Sequence, residues 1–356
     1  MSEPLNIESR PSFVRYLRAK GLIGDAEEPI TNVLSGGVSN RTVLLQRAGG
    51  QAWVVKQALE QLRVAVEWFS SPERITKEAL GLRWLGRLLP PGTVPALIFE
   101  DAAEHLLVME AVQQPSTNWK TMLLQGHLER DHIRQFAELL SSIHASGYRE
   151  RDSLCLAFAD TSFFESLRLE PYYEYTASRV PSAGPFLREL IASTRRCRET
   201  LVHGDFSPKN ILVHQGRLVL LDHEAIHFGD PAFDVGFSMT HLLSKAHHLG
   251  ALRERFREAC RQYWDGYRAG LPNVVWRHGL ESRAVQHTLG CLLARVAGRS
   301  PLEYLAPAAR FRQEAAVVAI IEEMPESMEA LIGAFLERVD ADDRKPGRSG
   351  SPRQSR

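Results

Sequence analysis

The sequence predicts an α+β fold in two unequal parts, a small antiparallel sheet followed by a larger, mainly helical region. Three observations predict it. Residues 28–57 and 94–112 hold short β-branched runs separated by Gly, Asn, Ser or Asp-Ala turns. From about 231 to 338 the apolar residues recur at helical spacing almost throughout. The length, 356 residues, is enough for two lobes with a proper core.

The elements follow in chain order. "PITNVL", "RTVLLQ" and "QAWVVK" are three strands, joined by "SGGVSN" and "RAGG", and together predict an antiparallel meander. "SPERITKEALGLRWLGRLLP" is a helix starting at Ser71-Pro72, with Ile75, Ala79, Leu82 and Leu85 on one stripe and its charged residues outside. "VPALIFE" and "EHLLVMEAV" add two strands that turn at Asp101-Ala102-Ala103. After "QQPSTNW" the character changes. "ERDHIRQFAELLSSIHASG" places Ile133, Phe136, Leu140 and Ile143 on one helical face, with Gly147 as its stop. Residues 150–200 give only short helical pieces and a cluster of Tyr172, Tyr173 and Tyr175. The expected division is 1–112, 113–338, and a polar disordered tail over 339–356.

Composition removes several function classes. Lys plus Arg equals Asp plus Glu at 43 each, so no basic field exists for nucleic acid. The four cysteines form no CxxC pair, which argues against a zinc ribbon and a disulfide framework. No stretch reaches the roughly 18 consecutive apolar residues of a membrane span, and "MSEPLNIESRPSF" lacks an apolar signal core. The expectation is a cytoplasmic protein whose oligomeric state the sequence does not set. His214, His223, His227, His241, His247 and His248 match no zinc signature, and most are expected in loops or at the surface.

The chemistry concentrates in "LVHGDFSPKNILVHQGRLVLLDHEAIHFGDPAFDVGF", residues Leu201 to Phe237. "ILV" and "RLVLL" are short enough for a hairpin turning near His214-Gln215-Gly216. A hairpin brings its ends together, so Asn210 and Asp222 become neighbours. A carboxamide, a carboxylate and Glu224 two residues on suit Mg²⁺, which takes few protein oxygens and completes its shell with water and phosphate. Asp205, at the head of the loop, is spaced to face the open side as a base.

This H-G-D-x-x-x-x-N run, followed by a strand pair ending in Asp, resembles the catalytic loop and metal aspartate of protein kinases. With His203-Gly204-Asp205 in place of H-R-D, it resembles the aminoglycoside phosphotransferase and small-molecule kinase superfamily, and its D-x-E form is similar to methylthioribose kinase. The resemblance covers about residues 28–310. It implies a bilobal protein-kinase-like fold and an ATP-dependent transfer of the γ-phosphoryl group to a hydroxyl of a small-molecule acceptor. Asp205 would be the catalytic base, and Asn210, Asp222 and Glu224 the Mg²⁺ ligands. Gly36, Gly37 and Ser39 would cover the phosphates, and Lys56 would hold them. Glu78 is the natural ion-pair partner of Lys56, with Glu73 and Glu67 as competitors. The backbone of Glu110 and Val112 would bond adenine beside Met109. His203 would prop the loop, Asp234 would hold its backbone, and Lys209 would neutralise the moving phosphoryl group or face solvent.

The acceptor is less legible. Arg295 and Arg299 are four apart and share a face if their helix persists. In the methylthioribose kinase pattern two adjacent arginines stand here, whereas this sequence has Ala294, which weakens the case for that sugar. No acidic pocket for a polycationic aminoglycoside is evident. The acceptor is expected to be a sugar or sugar-like metabolite, with aminoglycosides, amino alcohols, or a non-catalytic nucleotide-binding role as alternatives. A protein substrate is disfavoured, because "GDPAFD" follows Asp222 too closely for a peptide-docking segment.

Overall fold

The computed structural model describes residues 5–34, 37–63 and 67–343. Strands β1 (Ile30–Val33), β2 (Asn40–Gln46), β3 (Ala52–Ala58), β4 (Leu97–Asp101) and β5 (Leu106–Glu110) form one antiparallel sheet in the order β1-β2-β3-β5-β4. Alternation along β5 splits its side chains between two cores. Leu106 and Val108 join Val43, Leu45, Trp53 and Val55 on one face, while Leu107 and Met109 join the main core on the other. The first face is covered by Phe13, Val14 and Leu17 of helix α1 (Arg10–Ala19), an element the sequence reading did not assign.

Helix α2 (Arg74–Leu88) buries Ile75, Ala79, Leu82 and Leu85 as their spacing predicts. Its charged residues are not all outside, however, because Arg74 and Glu78 are fully buried. Gly81 explains how close the helix comes to the catalytic segment. A Cβ there would lie 2.9 Å from His223 Cβ and 3.2 Å from Ile226 Cγ2.

In the helical lobe β6 (Ser116–Asn118) leads into α3 (Trp119–Leu124), then α4 (Arg130–Arg149). Gly147 lies inside α4 and does not end it. A Cβ there would come within 2.7 Å of both Leu201 Cβ and Thr200 Oγ1, so the glycine permits close packing on β7 (Thr200–Val202). Between them, short helices α5 (Arg151–Ala157), α6 (Ser162–Phe164) and α7 (Tyr175–Arg179) flank a π-helical segment, Glu165–Glu174. Pro171 within it lacks an amide proton, which breaks the ordinary helical ladder. Helix α8 (Gly184–Arg196) follows.

The predicted hairpin is β8 (Ile211–His214) with β9 (Arg217–Leu220), and β8 also pairs with β6. Its two-residue turn has positive φ at Gln215 (48°) and Gly216 (74°), the conformation that matches strand twist. Strand β10 (His227–Gly229) pairs with β7 and leads into α9 (Pro231–His248), which is buried from Pro231 to His247. Asp230 caps α9 by accepting the Ala232 amide at 3.0 Å and pairs with Arg283 at 3.0 Å. Around α9 stand α10 (Arg253–Gly270), α11 (Leu280–Ala297), α12 (Pro307–Glu322) and α13 (Met328–Asp343). Helix α13 continues into the stretch expected to be a tail, and residues beyond Asp343 lie outside those described. Of the six histidines, most of them expected in loops or at the surface, four are buried instead, His223, His227, His241 and His247. Among the described residues no helix is long and apolar enough to cross a membrane.

Candidate active site

The loop after β7 is fixed from below by one carboxylate. Asp234, in the first turn of α9, accepts the His203 amide at 2.7 Å and the Gly204 amide at 2.8 Å, and meets His144 Nε2 at 3.3 Å. Burial would raise its carboxyl, but these donors outweigh burial and hold it below the usual range. Gly204 has φ +78°, and a Cβ there would stand 2.6 Å from the Ala225 carbonyl oxygen. That is why glycine occupies the middle of His-Gly-Asp. His203 Nδ1 accepts the Asp205 amide at 3.2 Å, which leaves Nε2 to donate to His223 Nδ1 at 3.0 Å. Burial lowers the pKa of both imidazoles.

Asp205 points its Oδ2 at two donors. Asn210 Nδ2 lies at 2.6 Å and Arg168 Nη2 at 2.9 Å. Arg168 also donates from Nε to the Gly204 carbonyl at 2.7 Å, so one guanidinium holds both the loop backbone and its aspartate. The hairpin brings its ends together, with the Leu221 amide donating to the Asn210 carbonyl at 2.9 Å. Asp222, next in the chain, has φ +68°, a left-handed conformation costly for most residues but tolerated by Asp.

Lys56 links the lobes. Its Nζ is 2.6 Å from Glu78 Oε1 and 2.9 Å from Asp222 Oδ1, so Glu78 is its helix partner in preference to Glu73 or Glu67. Burial alone would depress the Lys56 ammonium, but Asp222 and Glu78 outweigh it and hold it above the ordinary lysine range. Burial pushes the Glu78 carboxyl up to about 7, opposed by Lys56 and reinforced by Asp222 and Glu224. Asp222 is held below its usual value by Lys56, Lys209 and Arg168 against burial.

A second ion pair runs beside the first. Arg74 Nε meets Glu224 Oε2 at 3.1 Å. Its other nitrogens donate to the carbonyls of Ser39, Leu59 (2.8 Å), Ser70 (2.9 Å) and Ser71 (3.0 Å). Arg74 and Glu78 are one helical turn apart; Arg74 bonds Glu224 directly, and Glu78 is joined to Asp222, two residues before Glu224, through the shared Lys56 ammonium. Thus α2 holds the D-x-E segment directly at Glu224 and, by way of Lys56, at Asp222, and Arg74 ties the Gly37–Ser39 end of the covering loop to it. Burial raises the Glu224 carboxyl, and Asp222 adds to the effect.

These groups face one cleft of about 810 Å³. Gly37, Ser39 and Lys56 line its sheet side; Asp205, Lys209, Asn210, Asp222 and Glu224 line its floor. Gly36 lies outside the described residues. Asn210 spends its amide protons on Asp205, leaving its oxygen available, so Asn210, Asp222 and Glu224 form an all-oxygen donor set that fits Mg²⁺. Glu224 reaches this set already bonded to Arg74.

Other expected residues fall elsewhere. Glu110 ends β5 and Val112 lies just beyond it, and neither is among the residues lining the cleft; the Glu110 amide is spent on the Ala96 carbonyl at 2.9 Å, and Met109 is packed into the core. Arg295 lines the cleft, bonded from Nη1 to Tyr172 Oη at 3.2 Å and Ser300 Oγ at 3.0 Å. Arg299 does not share its face, because α11 ends at Ala297 and Gly298 is extended (ψ −176°). It turns instead to Glu170 at 2.7 Å. The sequence reading missed Arg168 and Arg74. Arg168 lies in the irregular 150–200 region, and Arg74 looks like any exposed first-turn arginine.

Residues 31–272 match the model of the phosphotransferase enzyme family. Methylthioribose kinase of Yersinia enterocolitica (serotype O:8 / biotype 1B) is 27% identical over 262 residues, 65% of this chain and 64% of that protein. The chain thus spans a little under two thirds of that relative's length. Among solved structures it is similar to a choline/ethanolamine kinase family protein from Mesorhizobium loti (TM-score 0.52, 16% identity, 92% of this chain and 99% of the other). It is also similar to an amicoumacin kinase in complex with AMP-PNP and Ca²⁺ (TM-score 0.54, 14% identity, 90% and 96%). These structural likenesses establish the kinase-type fold. The match over 31–272 takes in both sides of the cleft, from Lys56 to Asp234, and on it the chain belongs to the phosphotransferase enzyme family.

Proposed function

We propose that this protein is a small-molecule kinase that transfers the γ-phosphoryl group of ATP to a hydroxyl of a sugar or sugar-like metabolite. The observation that carries the reading is the convergence of Asp205, Asn210 and Asp222 on one cleft beneath a buried Lys56–Glu78 pair. On this reading residues 1–112 hold the nucleotide and 113–338 supply the catalytic loop and acceptor site. The acceptor oxygen attacks the γ-phosphorus, and the bond from that phosphorus to its bridging oxygen breaks with the electron pair leaving on ADP. The hydroxyl proton passes to Asp205, whose carboxylate is aimed by Arg168 and Asn210. Lys56, steadied by Glu78, holds the phosphates, and Lys209 stands where it can neutralise the moving group. Asn210, Asp222 and Glu224 would hold Mg²⁺, which when bound offsets charge on the phosphate oxygens. Most of the rate then comes from positioning and charge neutralisation.

Nucleotide binding should therefore depend on metal. A hundredfold excess of AMP-PNP over its Kd should raise the unfolding free energy by about 2.7 kcal/mol with Mg²⁺ present. Asp222→Ala should abolish the Mg²⁺-dependent part of that gain in a thermal or denaturant titration. An equal gain in EDTA, or one that survives in the variant, would remove Asp222 from the metal site.

A further inference from the structure

The far wall of the cleft carries an excess of positive charge that phosphate binding at Lys56 does not use. Lys120 and Arg295 line it beside His241, whose imidazole is held toward its neutral form by burial and by the neighbouring cations, and Lys245 lies fully buried just behind. The cations near Asp205 and on this wall are not equally compensated. Arg168 is matched by Asp205 at 2.9 Å, and Lys120 by Glu303. Among the described residues Arg295, 8% exposed, is bonded only to neutral groups, Tyr172 Oη and Ser300, and its Nε has no hydrogen-bond partner. Lys245 donates to the His241 carbonyl at 3.2 Å and sits 5.5 Å over the Tyr304 ring, with no carboxylate at ion-pair distance among the described residues. Burial first, then Lys120 and Arg295, lower Lys245 to about 7. Glu303 acts on Arg295 only at a distance, and a buried guanidinium with no carboxylate in hydrogen-bond contact is costly, so such a site is completed by an anion.

We propose that Lys120, His241 and Arg295 form an anion subsite for the acceptor, which is accordingly a hydroxylated small molecule bearing a carboxylate or phosphate group. The inference rests on the kinase reading above and narrows its substrate. The geometry suits a short molecule. The Tyr172 ring lies 5.6 Å from the Arg168 guanidinium and 5.7 Å from that of Arg295. One aromatic ring therefore separates the group that aims Asp205 from the group that would hold the anion. A polycationic or quaternary-ammonium acceptor finds the opposite of what it needs, because among the described residues the one carboxylate lining this wall, Glu303, is already paired with Lys120.

The test uses the full chain saturated with Mg²⁺ and AMP-PNP, so that the phosphate positions of the nucleotide are filled. A free pentose, the matching aldonic acid and the matching terminal pentose phosphate are titrated in turn by calorimetry. One charged ligand should bind at least about tenfold more tightly than the pentose, as a charge-assisted hydrogen bond implies. Preference for the acid or for the ester identifies the anion as carboxylate or phosphate. R295M should weaken that ligand by about tenfold to a hundredfold, and R295K should recover part of it, while AMP-PNP affinity stays within about twofold. Lys120→Gln, at a more exposed side chain, should weaken the same ligand and serves if R295M fails to fold. Equal binding of all three ligands would overturn the subsite, as would loss of AMP-PNP affinity in R295M with acceptor binding unchanged. Failure of AMP-PNP to bind would sink the kinase reading instead, and the same titrations without nucleotide would still decide the subsite.

Discussion

Asp205→Ala is expected to lower acceptor-dependent turnover by about a thousandfold, roughly 4 kcal/mol of barrier, while nucleotide affinity stays within about twofold. The size follows from position. Asp205 is the carboxylate at the head of the loop, and the groups that fix it, Asn210 at 2.6 Å and Arg168 at 2.9 Å, leave its orientation little freedom. Alanine also strands the buried Arg168 charge, so some loss of stability accompanies it. Asp205→Asn separates the two effects, since it keeps the volume but is neutral and cannot accept a proton in the same way. The two variants should lose similar turnover and different amounts of stability. Near wild-type turnover in Asp205→Asn would remove Asp205 from the chemistry.

Arg168→Met should lower kcat by about a hundredfold with little change in KM for ATP. Arg168 makes no hydrogen bond to an expected phosphate-binding residue or metal ligand, and reaches Asp222 and Glu224 only through its charge. It acts through Asp205 and through the Gly204 carbonyl at 2.7 Å, and is a positioning residue. The variant should also lose about 3 kcal/mol of stability, because it leaves Asp205 with one donor fewer in a largely buried site. Arg168→Lys keeps the charge but not the two-point geometry and should recover part of kcat. A purely structural role would lower stability and leave kcat per folded molecule unchanged, so both are measured on the same samples.

The parts legible in the sequence share one property: their signal is local. Strands β1 to β5, the α2 stripe and the β8–β9 hairpin are each written in one short stretch of period and turn residues. Asp205, Asn210 and Asp222 are legible for the same reason, because one hairpin brings them together. What was not legible depends on contacts between distant segments. Arg74 has the sequence context of a solvated arginine, and its burial comes from Glu224 and four carbonyls that α2 reaches only once Gly81 is packed against His223. Arg168 sits in a π-helical segment whose proline and tyrosines obscure any regular period. Gly147 looks like a helix stop but is a close contact with β7, and Arg299 left the face of Arg295 because the helix ended two residues earlier, at Ala297. Helix α1, with three buried residues on ten, carries too short a stripe to stand out.

The central claim is that this cleft moves a phosphoryl group to a hydroxyl, and ³¹P NMR of one reaction mixture tests it most directly. Purified protein, ATP and Mg²⁺ are incubated with neutral, carboxylated and phosphorylated sugars in separate samples. The account predicts a new phosphate monoester resonance that rises with ADP in at least one sample, requires Mg²⁺, and vanishes in Asp205→Ala. Nucleotide consumption that yields only inorganic phosphate in every sample, at the same rate in Asp205→Ala, would contradict it.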